Sequence, residues 1–198
     1  VRRPTEPRGR VRFLDEDECD RLLQACRESR SPHLYPAVLL AVSTGMRRGE
    51  VLGLRWLNVE LKIGRITIHD SKNGERRSVP LKGDALAELK RLSKVRRLDT
   101  TLVFPGKQQA SGDLQPAGLR TAWSRAVERA QLEDFKFHDL RHTTASYLAM
   151  NGATLPEIAA VLGHKTFAMV QRYAHLSDPH TAAVVGRMNE RFIGTKSR

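Results

Sequence analysis

Seven consecutive residues, Pro36-Ala-Val-Leu-Leu-Ala-Val42, carry no polar side chain on any face. A helix that is apolar all round cannot lie against water, so the rest of the chain has to wrap it. Gly45 interrupts this buried helix, and a short helix is predicted from about Arg47 to Arg55. The flanking segments have the pattern of a wrapping. From Asp15 onward Cys19, Leu22, Leu23 and Cys26 fall on one helical face, and Leu86, Leu89 and Leu92 do so over Asp84–Val95. Leu119, Ala122, Trp123, Ala126, Val127 and Ala130 mark an amphipathic helix over residues 117–130. Another runs from about Asp139 to Met150 and stops at Asn151-Gly152, a good C-terminal cap.

Two segments break the helical run. Arg65–His69 and Glu75–Pro80 read as strands, with Asn73-Gly74 between them as a hairpin turn. Leu102–Phe104 is a candidate third strand, and Phe104 to Pro116 reads as a loop. Thr154 and Glu157 form a capping-box pattern that opens a short helix ended by Gly163. Thr166–His175 reads as helical again. Asp178-Pro179 starts a last helix with an apolar stripe of Ala182, Val185, Met188 and Phe192. The expected fold class is mainly α with a small antiparallel β-sheet (α+β), in one compact domain.

Charge narrows the partners. Lys and Arg total 34 against 22 acids, a net charge of +12 on a 198-residue chain. Such a field attracts a polyanion, nucleic acid first and an acidic membrane surface second. No basic amphipathic helix stands out, which weakens the membrane option. No apolar run approaches the roughly 20 residues of a membrane span, and no signal peptide is visible after Val1-Arg2-Arg3-Pro4. Cys19 and Cys26 share the apolar face of their helix and read as core thiols of a reducing compartment. A cytoplasmic, intracellular location is expected, nucleoid-associated when on DNA. Residues 1–12 carry Arg2, Arg3, Arg8, Arg10 and Arg12 with Pro4, Pro7 and Gly9, the composition of a basic arm or linker. Residues 13–176 form the expected main domain and 177–198 a C-terminal helix and tail. The initial valine suggests a fragment.

Several residue groups carry chemistry. In Thr44-Gly45-Met46-Arg47-Arg48-Gly49-Glu50, Arg47 opens a helix whose N-terminus favours an anion, and Glu50 at i+3 can hold the guanidinium. An ordinary surface ion pair is the other reading. Lys72 precedes the Asn73-Gly74 turn and can donate a proton if its site lowers its pKa; a solvated turn lysine is the plain alternative. His138 and Arg141, three apart at a helix start, can bind one phosphate and move one proton. Their neighbours Arg48 and His142 are expected to point elsewhere. His164 follows the helix-ending Gly163 and reads as a cap or a ligand. Tyr173, nine residues on, reads as a core aromatic or a nucleophile.

Taken in order, Thr-Gly-x-Arg-x-x-Glu, a hairpin lysine, His-x-x-Arg, Leu-Gly-His and Arg-Tyr resemble the tyrosine recombinase (phage integrase) catalytic domain over roughly residues 13 to 176. The resemblance implies a DNA breaking-and-rejoining fold. It makes Arg47 and Arg141 the catalytic arginines, Glu50 a buttress, Lys72 the general acid, and His138 and His164 the site histidines. Tyr173 becomes the nucleophile. The implied reaction is site-specific recombination through a covalent 3′-phosphotyrosine, with no metal, ATP or other cofactor. The implied partners are double-stranded DNA and further copies of the protein, as a tetramer on DNA, with the last helix either exchanged between subunits or closing its own core. An N-terminal DNA-gripping domain, which the family normally carries, is not in this sequence. The same hairpin also holds Arg76 and Arg77.

The residues support this chemistry without the family. Two permanently charged guanidiniums neutralise the non-bridging oxygens of a phosphodiester. Their field also favours the phenolate of a tyrosine, and a histidine can take its proton. A type IB topoisomerase-like activity and an inactive basic DNA-binding module remain as alternatives.

Overall fold

A computed structural model describes residues 12–69, 76–108, 114–164 and 166–193. Helix α1 (Glu16–Arg27) begins at Asp15, which with Glu18 closes a reciprocal capping box. Arg12, the last residue of the expected arm, is ion-paired with Glu18 and belongs structurally to this helix start. The all-apolar run forms α2 (Leu34–Thr44), and Leu34, Ala37, Val38, Leu40 and Ala41 are all buried. Helices α1, α4 (Gly83–Lys94) and α6 (Asp139–Met150) pack around it, and α5 (Arg120–Arg129) lies on α1. The wrapping expected from the sequence is therefore the observed core.

Beyond α2 come α3 (Arg48–Leu52) and a three-stranded antiparallel sheet of β1 (Val59–Glu60), β2 (Arg65–His69) and β3 (Arg76–Pro80). Strands β2 and β3 pair with Ile66 opposite Val79 and His69 opposite Arg76. That register agrees with a hairpin, while the Asn73-Gly74 turn and Lys72 lie outside the described residues.

The third strand differs from expectation. It is Val59–Glu60, paired with β2, and Leu102 makes only an isolated bridge to Arg55. Leu102, Val103 and Phe104 are all buried, so this run is consumed by the core on both faces rather than by a sheet. The segment expected to be a loop after Phe104 instead forms a two-stranded ribbon, β4 (Pro105–Gln108) with β5 (Leu114–Pro116). Four- and three-residue strands that include proline give too short a pattern to read from sequence.

Helix α6 separates two apolar clusters. Leu140 belongs to the large one around α2, whereas Ala145 and Ala149 belong to a smaller one with α7 (Leu155–Leu162), Val170 and Tyr173. The capping box of Thr154 and Glu157 opens α7 as expected. Residues 166–175 are not an α-helix but two 3₁₀ segments, Phe167–Met169 and Gln171–Ser177. At three residues per turn, Val170 and Tyr173 stack on one side, and both are buried.

Helix α8 (Asp178–Phe192) starts one residue earlier than expected, with Ser177 as its N-cap. Its stripe does not close the core of this chain. Val185, Met188 and Phe192 are 48%, 44% and 73% exposed, and Val184 and Ile193 beside them are exposed too.

Candidate active site

Gly45 ends α2 with φ 64°, a left-handed conformation that suits glycine. A Cβ there would also collide with Leu162 at the end of α7. The chain then turns directly into α3, with Arg47 in the N-cap position. The Arg47 backbone N–H donates to Glu50 Oε2 (2.7 Å) and its Nη1 to Glu50 Oε1 (3.0 Å), the contact that their i, i+3 spacing allows. The Arg47 side chain remains 45% exposed, available to a ligand.

Glu50 does more than the sequence indicated. Arg77, on β3, grips it with two hydrogen bonds, Nη1–Oε1 at 2.8 Å and Nη2–Oε2 at 2.6 Å. One carboxylate thus joins α3 to the sheet and orients two guanidiniums. Burial alone would raise the Glu50 carboxyl, but hydrogen bonds from Arg77 and the Arg47 N–H outweigh it and hold it below the usual carboxylate range. Arg77 also lies against Gly163, where a Cβ would stand 2.5 Å from Arg77 Cδ. The glycine of Leu-Gly-His is therefore the space into which this arginine fits.

Arg141 is 4% exposed, and its Nη1 donates to the Gly45 carbonyl at 2.7 Å. Burial, then the charges of Arg47 and Arg77, pull it down to about 10, against Glu50 and Tyr173. It stays cationic at neutral pH. Its Nη2 and His164 Nδ1 are buried without a hydrogen-bond partner among the described residues. Burial, Arg141 and Arg47 push His164 down to about 4. His138 is also lowered, by burial first and then by Arg141 and Arg47, with Asp139 opposing. Arg47, His138, Arg141 and His164 thus share one electrostatic neighbourhood, joined by Arg77. A buried guanidinium nitrogen left unpaired amid mutually repelling cations is costly in the absence of an anion.

Tyr173 is 1% exposed, and its hydroxyl is hydrogen-bonded to His142 Nδ1. This corrects the expectation that His142 points away. An i, i+4 step on α6 returns His142 to the face of His138, and their rings meet edge to face at 5.4 Å. The His-x-x-x-His spacing was the available signal. The signal for Arg77 was weaker, an alternating position on a strand next to the site. Arg48 is exposed, as expected. The guanidinium field does not by itself make Tyr173 a phenolate in this state. Burial raises the phenol and outweighs the lowering by Arg172 and Arg141.

The model of the phage integrase family matches residues 12–180, and the chain belongs to that family. It is 36% identical over 178 residues to the shufflon-specific DNA recombinase of Escherichia coli, covering 89% of this chain and 43% of that protein. It is 31% identical over 188 residues to the integrase of Salmonella phage P22, covering 91% and 48%. The chain therefore spans about half the length of these relatives. The catalytic domain of bacteriophage HP1 integrase superposes with a TM-score of 0.70 at 28% identity, over 94% of this chain and all of that one.

Proposed function

We propose that this protein cuts and rejoins double-stranded DNA at specific sites, with Tyr173 as nucleophile and no metal or ATP in the reaction. The observation that carries this reading is the pair of buried nitrogens without a partner among the described residues, Arg141 Nη2 and His164 Nδ1, with Arg141 in the electrostatic neighbourhood of the buried phenol. A phosphodiester seated there meets Arg141 and Arg47 on its non-bridging oxygens, which relieves the repulsion between the cations and stabilises charge growing in the transition state. His164 and His138 add donors once the anion offsets the burial and charge that keep them neutral. Glu50, clasped by Arg77, keeps Arg47 in place.

Tyr173 attacks phosphorus in line with the bond to the 5′-oxygen, giving a 3′-phosphotyrosine. The 5′-oxygen leaves with a proton that we assign to Lys72, as the resemblance implies. The phosphoester linkage keeps its energy in the covalent intermediate, so a 5′-hydroxyl from another strand can reverse the step without ATP. Relatives named as recombinases and integrases favour this over topoisomerase-like relaxation.

The exposed stripe of α8 supports self-association on DNA through this helix, as a tetramer. No helix among the described residues is long and apolar enough to cross a membrane, and the proposed DNA substrate favours an intracellular, cytoplasmic site of action. The test is a nicked suicide duplex carrying the sequence that the full-length protein selects from a random pool. A covalent adduct mapping to Tyr173 is expected. A Tyr173→Phe variant that still forms it removes this assignment, and relaxation of plasmids by monomers without sequence preference replaces it with the topoisomerase reading.

A further inference from the structure

His142 touches the proposed nucleophile yet has no role in this scheme. His142 Nδ1 bonds the Tyr173 hydroxyl, with ring centroids 6.1 Å apart and planes tilted by 43°. The phenol otherwise lies among Ala145, Ala149, Ile158, Ala159, Leu162 and Val170, an apolar surround with no competing acceptor from those side chains. His142 is half-buried, so it borders both this cluster and the open side of the site. The other titratable or charged groups near it are His138, Asp139 and Arg141 on α6, Arg172 on the following 3₁₀ segment, and His164 after α7. Burial comes first, and His138, Arg172 and Arg141 add to it against Asp139, keeping the ring neutral. In its Nε2–H tautomer the neutral imidazole accepts at Nδ1. In that tautomer the hydrogen bond runs from phenol to imidazole, the direction of proton transfer in nucleophile activation.

We infer that His142 is a catalytic residue, the base that takes the proton of Tyr173. The inference rests on the recombinase reading above. As the Tyr173 O–H bond breaks, its proton joins Nδ1 and forms an imidazolium. The freed oxygen lone pair makes the O–P bond, and the P–O5′ bond breaks with its electrons on the 5′-oxygen, protonated by Lys72. In rejoining, the incoming 5′-hydroxyl gives its proton to the neutral lysine and attacks phosphorus. The departing tyrosine oxygen recovers its proton from His142. Protons balance over the cycle, and no oxidant or cofactor enters. His138 and His164 remain with Arg141 and Arg47, where the phosphate sits.

The experiment measures single-turnover adduct formation by the full-length protein on the selected suicide duplex, from about pH 5 to 9. His142→Ala is expected to slow adduct formation about 100-fold or more, to flatten the acid limb of the pH profile, and to recover partly with added imidazole. Replacing Tyr173 with 3-fluorotyrosine, whose phenol ionises more easily, is expected to shrink the defect of His142→Ala. A His142→Ala protein with wild-type melting, DNA affinity and adduct rate overturns the inference. So does a rate loss that imidazole and fluorotyrosine leave unchanged, since that marks a structural role. If the alanine variant unfolds, His142→Gln takes its place, and a wild-type rate there is equally fatal. If the wild-type protein itself forms no adduct, the recombinase reading has failed, not merely this assignment.

Discussion

The two apolar clusters on either side of α6 are built from different material. The one around α2 uses Leu34, Val38, Leu40, Met46 and Phe104, side chains that interlock and are essentially inaccessible to solvent. Around Tyr173 the other one buries Ala145, Ala149 and Ala159 with Ile158, Leu162 and Val170, has Leu148, Leu155 and Leu176 packed on it half-buried, and has one wall made of 3₁₀ segments. Buried apolar area sets stability, so the first cluster is the firmer of the two. The groups proposed to face the phosphate are fixed to it, Arg141 through the Gly45 carbonyl and Arg47 through the turn that leaves α2. The proposed nucleophile, Tyr173, belongs to the weaker cluster. A rigid grip with a more mobile nucleophile suits a reaction in which a buried phenol must come to meet a phosphate.

The sharpest contrast is between function and stability at Tyr173. Tyr173→Phe is expected to lower adduct formation by more than about 10⁴-fold, since no other nucleophile replaces it. Its unfolding free energy should fall by no more than about 1–3 kcal/mol, the cost of a half-buried His142 without its donor. Adduct assays and urea titration test the two halves.

Leu40→Ala should cost about 2–5 kcal/mol in global unfolding. Val170→Ala should instead act locally and speed hydrogen exchange at residues 166–177 while α2 stays protected. Equal protection of the two regions in the wild-type protein would break the comparison outright.

Arg77→Ala tests the link between the regions. It leaves Glu50 with Arg47 alone and opens space beside Gly163. A destabilisation of about 1–3 kcal/mol is expected, together with slower adduct formation. If Arg77→Lys restored both fully, two-pronged geometry would not matter there.

The pH dependence follows from His164. Its folded pKa, about 4, lies below the unfolded value near 6.5. The unfolded chain therefore binds more protons, and the stability present above about pH 6.5 is lost as pH falls toward 4. Melting curves of His164→Asn should show a shallower decline over that window, and a bound DNA phosphate should shift the window upward. The smallest effect is expected at α8, where Val185→Ser with Met188→Ser should change monomer stability by less than about 0.5 kcal/mol yet weaken self-association measured by sedimentation.

Much of this could be read from the sequence, and for a common reason. The central helix, the α6 boundaries, the Thr154–Glu157 cap, the Arg47–Glu50 pair and the shared neighbourhood of His138 and Arg141 all depend on residues within one or two turns. Side-chain periodicity and capping are properties of such short stretches. The expected positions of the site residues followed from motif order rather than from periodicity.

Tertiary structure alone decided the rest. Arg77 meets Glu50 across 27 positions, His142 meets Tyr173 across 31, and Arg141 meets the Gly45 carbonyl across 96. The burial of residues 102–104 and the 3₁₀ course of residues 166–177 were likewise set by what packed against them. No local pattern encodes such partners, because they arise only when separate elements compete for the same buried volume. The sequence determined which charges and which phenol were available. The packing around α6 determined that the phenol is held by His142 and ionises less readily than the nearby arginines suggested.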